Sequence, residues 1–154
     1  MNNTTKKYLL GLLDEVESEL PEDNHIEEDN FPVYLYNKTA ISIQKEISDI
    51  CIRENIPQNI LDKLTEYRYV DKICDLLRGK YVRWVRLSGD LKGNSLTKGN
   101  SLTKGGIVAD IKFLENGIYI LIKNARNQFI QYKFDDCITF QKLSPEELLY
   151  INIC

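Results

Sequence analysis

Hydrophobic residues recur every three to four positions in two consecutive stretches, residues 39–54 and residues 58–78. This spacing places the apolar side chains on one face of a helix, so it predicts two amphipathic helices. Pro57 separates the two stretches, and Gly79 lies where a glycine that ends a helix is expected. Because the segment that connects the two predicted helices is short, we expect an antiparallel helical hairpin over residues 39–79.

After Gly79 the hydrophobic period changes from about 3.6 to 2, which predicts β-strands. Five strands are predicted, at residues 80–87, 107–114, 118–123, 128–134 and 137–143. The second strand alternates in a way that puts four residues on one face: Ile107, Ala109, Ile111 and Phe113. Asn116 and Gly117 are a pair that a type I′ turn favours, so we expect a tight hairpin between the second and third strands.

The two ends of the chain carry further signals. Residues 144–147, SPEE, form a capping box with proline at the first helical position, which predicts a short C-terminal helix. We expect this helix to pack through Leu148, Leu149 and Ile151. Near the N-terminus, residues 5–20 have helical spacing, and an acidic linker and a short extended segment at 31–37 are expected to follow.

Residues 106–111, GIVADI, resemble the G-x-V-x-x-I turn and strand of KOW-type modules, which belong to the wider SH3-like and Tudor-like barrels. The resemblance covers about residues 80–143. It implies a small barrel without catalytic activity that binds protein or nucleic acid. The general character of the sequence also resembles that of small uncharacterised proteins of large DNA viruses.

Together these patterns predict an α+β protein with three parts. Residues 1–38 form an acidic N-terminal arm with one amphipathic helix and a linker, and residues 39–79 form the helical hairpin. Residues 80–154 form a five-stranded, SH3-like antiparallel barrel followed by a short C-terminal helix.

Charge is distributed unevenly along the chain, although the net charge is only −3. Residues 14–29 contain nine acids and no base, whereas the chain from residue 30 onward contains 18 bases and 14 acids. An acidic arm therefore precedes a mildly basic body. Whether the arm masks the basic body is left open by the sequence.

Basic residues are concentrated in residues 78–104, where seven bases accompany a single acid, Asp90. Basic side chains interleaved with aromatic rings are typical of surfaces that bind single-stranded nucleic acid. We therefore predict a site for an anionic partner formed by Arg83, Arg86, Lys92, Lys98, Lys104, Tyr81 and Trp84. Two alternatives stay open: Trp84 belongs to the core, or the basic residues are an ordinary solvated surface.

The hexamer KGNSLT occurs twice in residues 92–103. It is not a P-loop, because Lys98 stands where that motif requires its second glycine. Its composition is typical of an exposed loop, and lengthening such a loop costs little, about 0.6 kcal/mol per doubling. The repeat is therefore interpreted as an inert insertion or as a carrier of binding lysines.

Residues for catalysis or metal binding are scarce. His25 is the single histidine, and the four cysteines are scattered without a C-x-x-C spacing. We therefore expect no catalytic residue, no metal and no cofactor. Cys51 and Cys74 are expected to be reduced core thiols in a reducing, intracellular compartment, and Asp135 and Asp136 are expected to be turn residues.

No stretch approaches the roughly 18 apolar residues that a membrane span requires, so no membrane association is expected. The sequence favours a non-enzymatic binding or adaptor module for nucleic acid or an acidic protein segment, in the cytoplasm or nucleus. The alternative is a structural or assembly component of a larger particle such as a virion. In that case the helical hairpin would be the interface, with an exposed stripe of Ile43, Ile47 and Ile50. The partner's identity and homo-oligomer formation stay open.

Overall fold

The computed structural model of the 154-residue chain describes residues 32–87 and 101–153. It divides into two units, Met1–Tyr36 and Asn37–Cys154. In the first unit, Val33–Leu35 forms a 3-10 helix, so the extended segment predicted at residues 31–37 is wrong there. The predicted N-terminal helix and acidic linker lie outside the described residues.

In the second unit, α1 spans Ala40–Arg53 and confirms the first predicted helix of the hairpin. Thr39 caps it: its hydroxyl accepts a hydrogen bond from the Ser42 N–H at 3.1 Å, and the Ser42 hydroxyl accepts one from the Thr39 N–H at 2.9 Å. These reciprocal bonds satisfy backbone donors that a helix start leaves unpaired. The buried face carries Ile43, Ile47, Ile50 and Cys51.

The second predicted helix, and with it the helical hairpin, is wrong. Residues 58–78 instead form a 3-10 helix at Gln58–Leu64, strand β1 at Tyr67–Val70 and a second 3-10 helix at Ile73–Asp75. The segment YRYV is rich in aromatic and β-branched residues, which pack well on a sheet. Its pairing with a strand more than 60 residues away outweighs the local helical spacing.

Gly79 does not end a helix. Its φ of +84° belongs to the turn that leads into the next strand, and its N–H donates to the Val108 carbonyl at 2.8 Å. Glycine adopts positive φ at the lowest cost of any residue, so a turn before β2, and not the end of a helix, accounts for glycine at this position.

All five predicted strands are present, and β1 adds a sixth. Their bounds are β2 Tyr81–Arg86, β3 Gly106–Leu114, β4 Gly117–Lys123, β5 Phe129–Lys133 and β6 Cys137–Lys142. The strands lie side by side in the order β1-β6-β2-β3-β4-β5, and every pairing is antiparallel. The first and last strands of that order, β1 and β5, do not pair with each other. The sheet is therefore open, and the prediction of a closed five-stranded barrel is wrong.

β3 and β4 form the predicted hairpin, but its turn is not type I′. Leu114 pairs with Gly117, which has a φ of +141°, while Asn116 is not among the residues with positive φ. The pairing of β3 also shifts register between Val108 and Asp110. This β-bulge at Ala109 changes which residues share a face.

The bulge overturns the single face predicted for β3. Val108 pairs with Ile122 and Ile111 pairs with Ile120, so both point to the same side of the sheet. Ile107 pairs with Lys123 and therefore lies on the other side. A strict period of two holds only within an uninterrupted ladder, so the extra residue moves Ile107 away from the face of Ile111.

One side of the sheet packs into a core that includes Val82, Trp84, Val108, Ile120, Ile122 and Tyr132. On the other side the sheet has two different halves. α1 contacts β1, and β6 is buried along almost its whole length, with Phe140 fully buried. By contrast, β4 buries only alternate positions near its end, and β5 buries a single position. The β3–β5 half therefore leaves one side of the sheet accessible to solvent.

The C-terminal helix, α2, spans Pro145–Ile153. Its predicted capping box is confirmed: the Ser144 N–H donates to Glu147 Oε1 at 2.8 Å, and the Glu147 N–H donates to Ser144 Oγ at 3.1 Å. Ile151 is buried as expected. Leu149 is exposed, so its predicted packing role is wrong.

Candidate functional site

The predicted site residues begin on β2, where Trp84 lies in the core. Its side chain is 7% exposed, and its ring stacks on Tyr132 with a centroid distance of 4.2 Å and an angle of 15° between the planes. A ring covered in this way leaves too little surface for a base to stack on it. Of the two interpretations of Trp84, the structure corresponds to the core one.

Tyr81, Arg83 and Lys104 are brought together by the segment that precedes β3. The Tyr81 hydroxyl donates to the Lys104 carbonyl at 2.7 Å, and Arg83 Nε donates to the Thr103 carbonyl at 2.8 Å. Lys104 itself is exposed. Lys92 and Lys98 lie outside the described residues.

The end of the second KGNSLT copy is anchored along β2. Leu102 forms a β-bridge with Val85, and the Thr103 N–H donates to the Trp84 carbonyl at 3.0 Å. The Thr103 hydroxyl in turn accepts from the Trp84 N–H at 3.1 Å. These contacts extend the sheet, so the last residues of the repeat contribute to the fold.

Arg86 is separated from Arg83, the other base of β2. Side chains alternate along a strand, so Arg86 lies on the side of Trp84, whereas Tyr81 and Arg83 lie on the opposite side. Arg86 is exposed and is the direct cross-strand neighbour of Cys137. The predicted set is therefore divided between the two sides of the sheet.

Cross-strand pairing defines a second group of residues, which the sequence did not single out. One row runs across four strands: Tyr81 opposite Ile107, Ile107 opposite Lys123, and Lys123 opposite Phe129. Directly opposed residues share a side of the sheet. We call the accessible side of β3–β5, together with Tyr81 at the start of β2, the open sheet face. Its members are Tyr81, Ile107, Asp110, Lys112, Tyr119, Leu121, Lys123, Phe129, Gln131 and Lys133.

The opposite end of the open sheet face has a row in which cations flank a ring. Lys112 pairs with Tyr119, and Tyr119 pairs with Lys133. The Lys133 side chain passes over Gly117, where an added Cβ would come within 2.5 Å of Lys133 Cε. The glycine therefore allows the lysine stem to lie close to the backbone of β4.

Positive charge dominates the open sheet face. It contains three lysines and one acid, Asp110. Asp110 Oδ1 lies 3.0 Å from Arg78 Nη2 and also accepts a hydrogen bond from the Ile111 N–H at 2.8 Å. Because the carboxylate already has a cationic partner, it offsets little of the positive charge of the lysines.

Two apolar side chains on the open sheet face are accessible. Phe129 is 61% exposed and Ile107 is 47% exposed, and Lys123 lies between them in the row. Tyr119 is half-buried between its two lysines. The face thus combines rings and apolar surface with cations.

Burial raises the pKa of two groups, Tyr67 on β1 and Cys137 on β6. Burial raises the pKa of Tyr67, and the positive charge of Arg83 opposes the increase. Burial also raises the pKa of the Cys137 thiol to about 11, again against the effect of a neighbouring arginine, Arg86. Cys137 is therefore a protonated thiol near neutral pH, which is a poor nucleophile.

The remaining chemistry of the described residues is limited. Cys51 and Cys137 are buried free thiols, but Cys74 is exposed, so its predicted place in a helical core stripe is wrong. Asp135 and Asp136 lie in the 3-10 turn Phe134–Asp136, as predicted. Across residues 32–87 and 101–153, no three His, Cys, Asp or Glu side chains gather into a group that could hold a metal ion.

The sequence contained a signal for the open sheet face. Lysines and rings alternate with core residues in two predicted strands, as Tyr119, Leu121 and Lys123 and then as Phe129, Gln131 and Lys133. These lysines are not consecutive, so they form no basic run in the sequence. The residues come together only through strand pairing, which the local pattern does not specify.

A scan against protein-family models and searches of curated proteins and of solved structures found no match. The resemblance of residues 106–111 to KOW-type modules therefore stays a prediction. Within the described ranges, no helix is both long enough and apolar enough to cross a bilayer.

Proposed function

We propose that this protein is a non-enzymatic binding module that holds an anionic partner on the open sheet face. The observation that carries the proposal is the cross-strand arrangement of Lys112, Lys123 and Lys133, with the single acid of the face paired to Arg78. The exposed Lys104, whose carbonyl accepts a hydrogen bond from Tyr81 of the face, extends this surface toward the basic run of residues 78–104.

A polymeric anion fits this surface better than a small one. The lysines of the two rows are separated by several residues along the strands, which corresponds to roughly 13 Å at about 3.3 Å per residue. A small anion could contact only one row at a time. A chain of regularly spaced negative charges could contact both, so the modest attraction at each lysine would add up.

The alternative function, assembly into a larger particle, loses the interface expected for it. The helical hairpin is absent, and Ile43, Ile47 and Ile50 are buried in the fold, so they form no exposed stripe. The proposal keeps the reducing intracellular location that the scattered cysteines suggested, in the cytoplasm or nucleus.

Salt-dependent binding to heparin and to fluorescein-labelled oligonucleotides tests the proposal. The double variant Lys112→Gln, Lys123→Gln is expected to elute from heparin at lower salt than the wild type, because two cations of the face are removed. The matched control is Lys63→Gln, Lys72→Gln, which removes the same charge at two exposed positions outside the open sheet face.

If both double variants lose binding equally, net charge is responsible and the assignment to the open sheet face is wrong. If the wild-type protein binds neither heparin nor any oligonucleotide at about 50 mM salt, the proposed function itself is wrong. Far-UV circular dichroism of each variant establishes that the fold is retained.

A further inference from the structure

We propose that the anionic partner is a single-stranded nucleic acid, whose bases stack on Phe129 and Tyr119 while its phosphates contact the lysines beside them. This inference rests on the proposed function, because it specifies the partner of the same face. Its basis is the pairing of each ring with a cation: the exposed Phe129 lies opposite Lys123, and the half-buried Tyr119 lies between Lys112 and Lys133.

The exposure of Phe129 indicates a ligand with flat apolar groups. Phe129 is 61% exposed in the edge strand of the sheet, and its neighbours on the face, Lys123 and Gln131, are also exposed. A charge-only partner such as a polyphosphate would gain nothing from this ring. Bases of a single strand have exposed π-faces, and stacking on aromatic side chains is a general way to hold them.

The geometry assigns the two rings to separate nucleotides. Phe129 and Tyr119 lie one strand and four residues apart, so their Cα atoms are separated by roughly 14 Å. Tyr81 lies three strands from Phe129 in the same row. The hydrogen bond from the Tyr81 hydroxyl to the Lys104 carbonyl holds this third ring at the border of the face.

Two other anionic partners match the face less well. A double helix stacks its bases on each other, so its phosphates would reach the lysines but the rings would remain unused. An acidic peptide would pair with the lysines and contact Ile107, but it offers no regular series of flat groups for rings on different strands. The combination of separated rings and intervening cations therefore favours single-stranded nucleic acid.

The test compares two labelled probes that differ only in their bases. Fluorescence anisotropy with the full-length protein at about 50 mM salt measures affinity for a 15-nucleotide oligothymidine and for an abasic strand of equal length. We expect the oligothymidine to bind at least about fivefold more tightly, the lower end of the effect of one stacked base. Equal affinity for the two strands would overturn the stacking inference but leave polyanion binding intact, whereas no binding to either would reject the proposed function.

Matched variants locate the stacking rings. Phe129→Leu and Tyr119→Leu are each expected to weaken oligothymidine binding by roughly 5- to 100-fold and to leave abasic binding unchanged. Phe113→Leu is the control, since Phe113 is 69% exposed but pairs with Ile118 on the core side of the sheet. An equal loss in the Phe113 variant would contradict the placement of the site.

The salt dependence separates the charged from the stacking part of the interaction. Lys123→Gln is expected to reduce the slope of log K against log salt by about 0.7, the value for one phosphate contact on a single strand. Phe129→Leu is expected to leave that slope unchanged. A smaller slope in the phenylalanine variant would mean that the ring acts through the lysines and does not stack on bases.

Discussion

Trp84 and Tyr132 stack face to face in the core, with ring centroids 4.2 Å apart. The Tyr132 hydroxyl also shares a buried hydrogen bond of 2.9 Å with the Thr139 hydroxyl. This pair joins β2 to β5, which are separated by two strands in the sheet order. The contact across the curved inner side helps to keep the β3–β5 half in place, and so supports the open sheet face on its outer side.

Replacing Trp84 tests this core role directly. We expect Trp84→Ala to lower the free energy of unfolding by about 3–5 kcal/mol, the range for large-to-small changes of buried aromatic residues. Urea unfolding followed by circular dichroism measures the loss. If the variant is instead as stable as the wild type and binds oligonucleotides more weakly, Trp84 belongs to the binding surface.

The buried thiol of Cys137 makes stability depend on alkaline pH. Burial raises its pKa from 9.0 to about 11, so the unfolded chain loses this proton at lower pH than the folded protein does. The folded state then binds more protons, and its stability, complete below about pH 9, decreases as the pH rises. We expect a loss of about 1 kcal/mol between pH 8 and pH 10 from this group.

Urea unfolding at the two pH values measures that loss in the wild type and in Cys137→Ala. The alanine variant should lose less stability, by about the same 1 kcal/mol. Cys74→Ala is the control, because the Cys74 thiol is exposed. A Cys137→Ala variant with the wild-type pH dependence would show that this thiol is not responsible.

Two glycines with the same backbone conformation are expected to respond differently to alanine. Gly79 and Gly105 have φ values of +84° and +82°. An added Cβ meets nothing within 4 Å at Gly79, but at Gly105 it would lie 2.0 Å from the Val82 carbonyl oxygen. Gly79→Ala therefore carries only the left-handed backbone cost of about 1–2 kcal/mol, whereas Gly105→Ala adds a steric clash with backbone.

Thermal and urea unfolding of the two variants compare these costs under the same conditions. Gly105→Ala should be the less stable by a clear margin, and the segment leading into β3 should be displaced. Equal stabilities would mean that the segment before β3 does not lie against β2 in solution.

The Thr103 hydroxyl is expected to contribute to stability through its hydrogen bond with the Trp84 N–H. Thr103→Val keeps the shape of the side chain but removes the acceptor, which should lower the free energy of unfolding by about 1 kcal/mol or more. Thr103→Ser keeps the hydroxyl and serves as the control. If valine and serine are equivalent, the second repeat copy is anchored by its backbone alone.

Local signals in the sequence determined where several elements begin and what they are. Thr39 and Ser42 cap α1, and the SPEE motif caps α2, because these hydrogen bonds form between residues three positions apart. The alternation after Gly79 predicted five strands near their observed positions, since a period of two is a property of each strand by itself.

Tertiary structure alone determined the identity of β1, the bulge in β3 and the order of the strands. β1 is a strand because Tyr69 pairs with Phe140 across the sheet, a contact that no local pattern in residues 58–78 contains. One extra residue at Ala109 moves Ile107 to the side of Lys123, and the order of the strands places that lysine beside Phe129. The open sheet face therefore exists through pairings between distant segments, whose free energy depends on the whole folded sheet and not on any stretch of the chain.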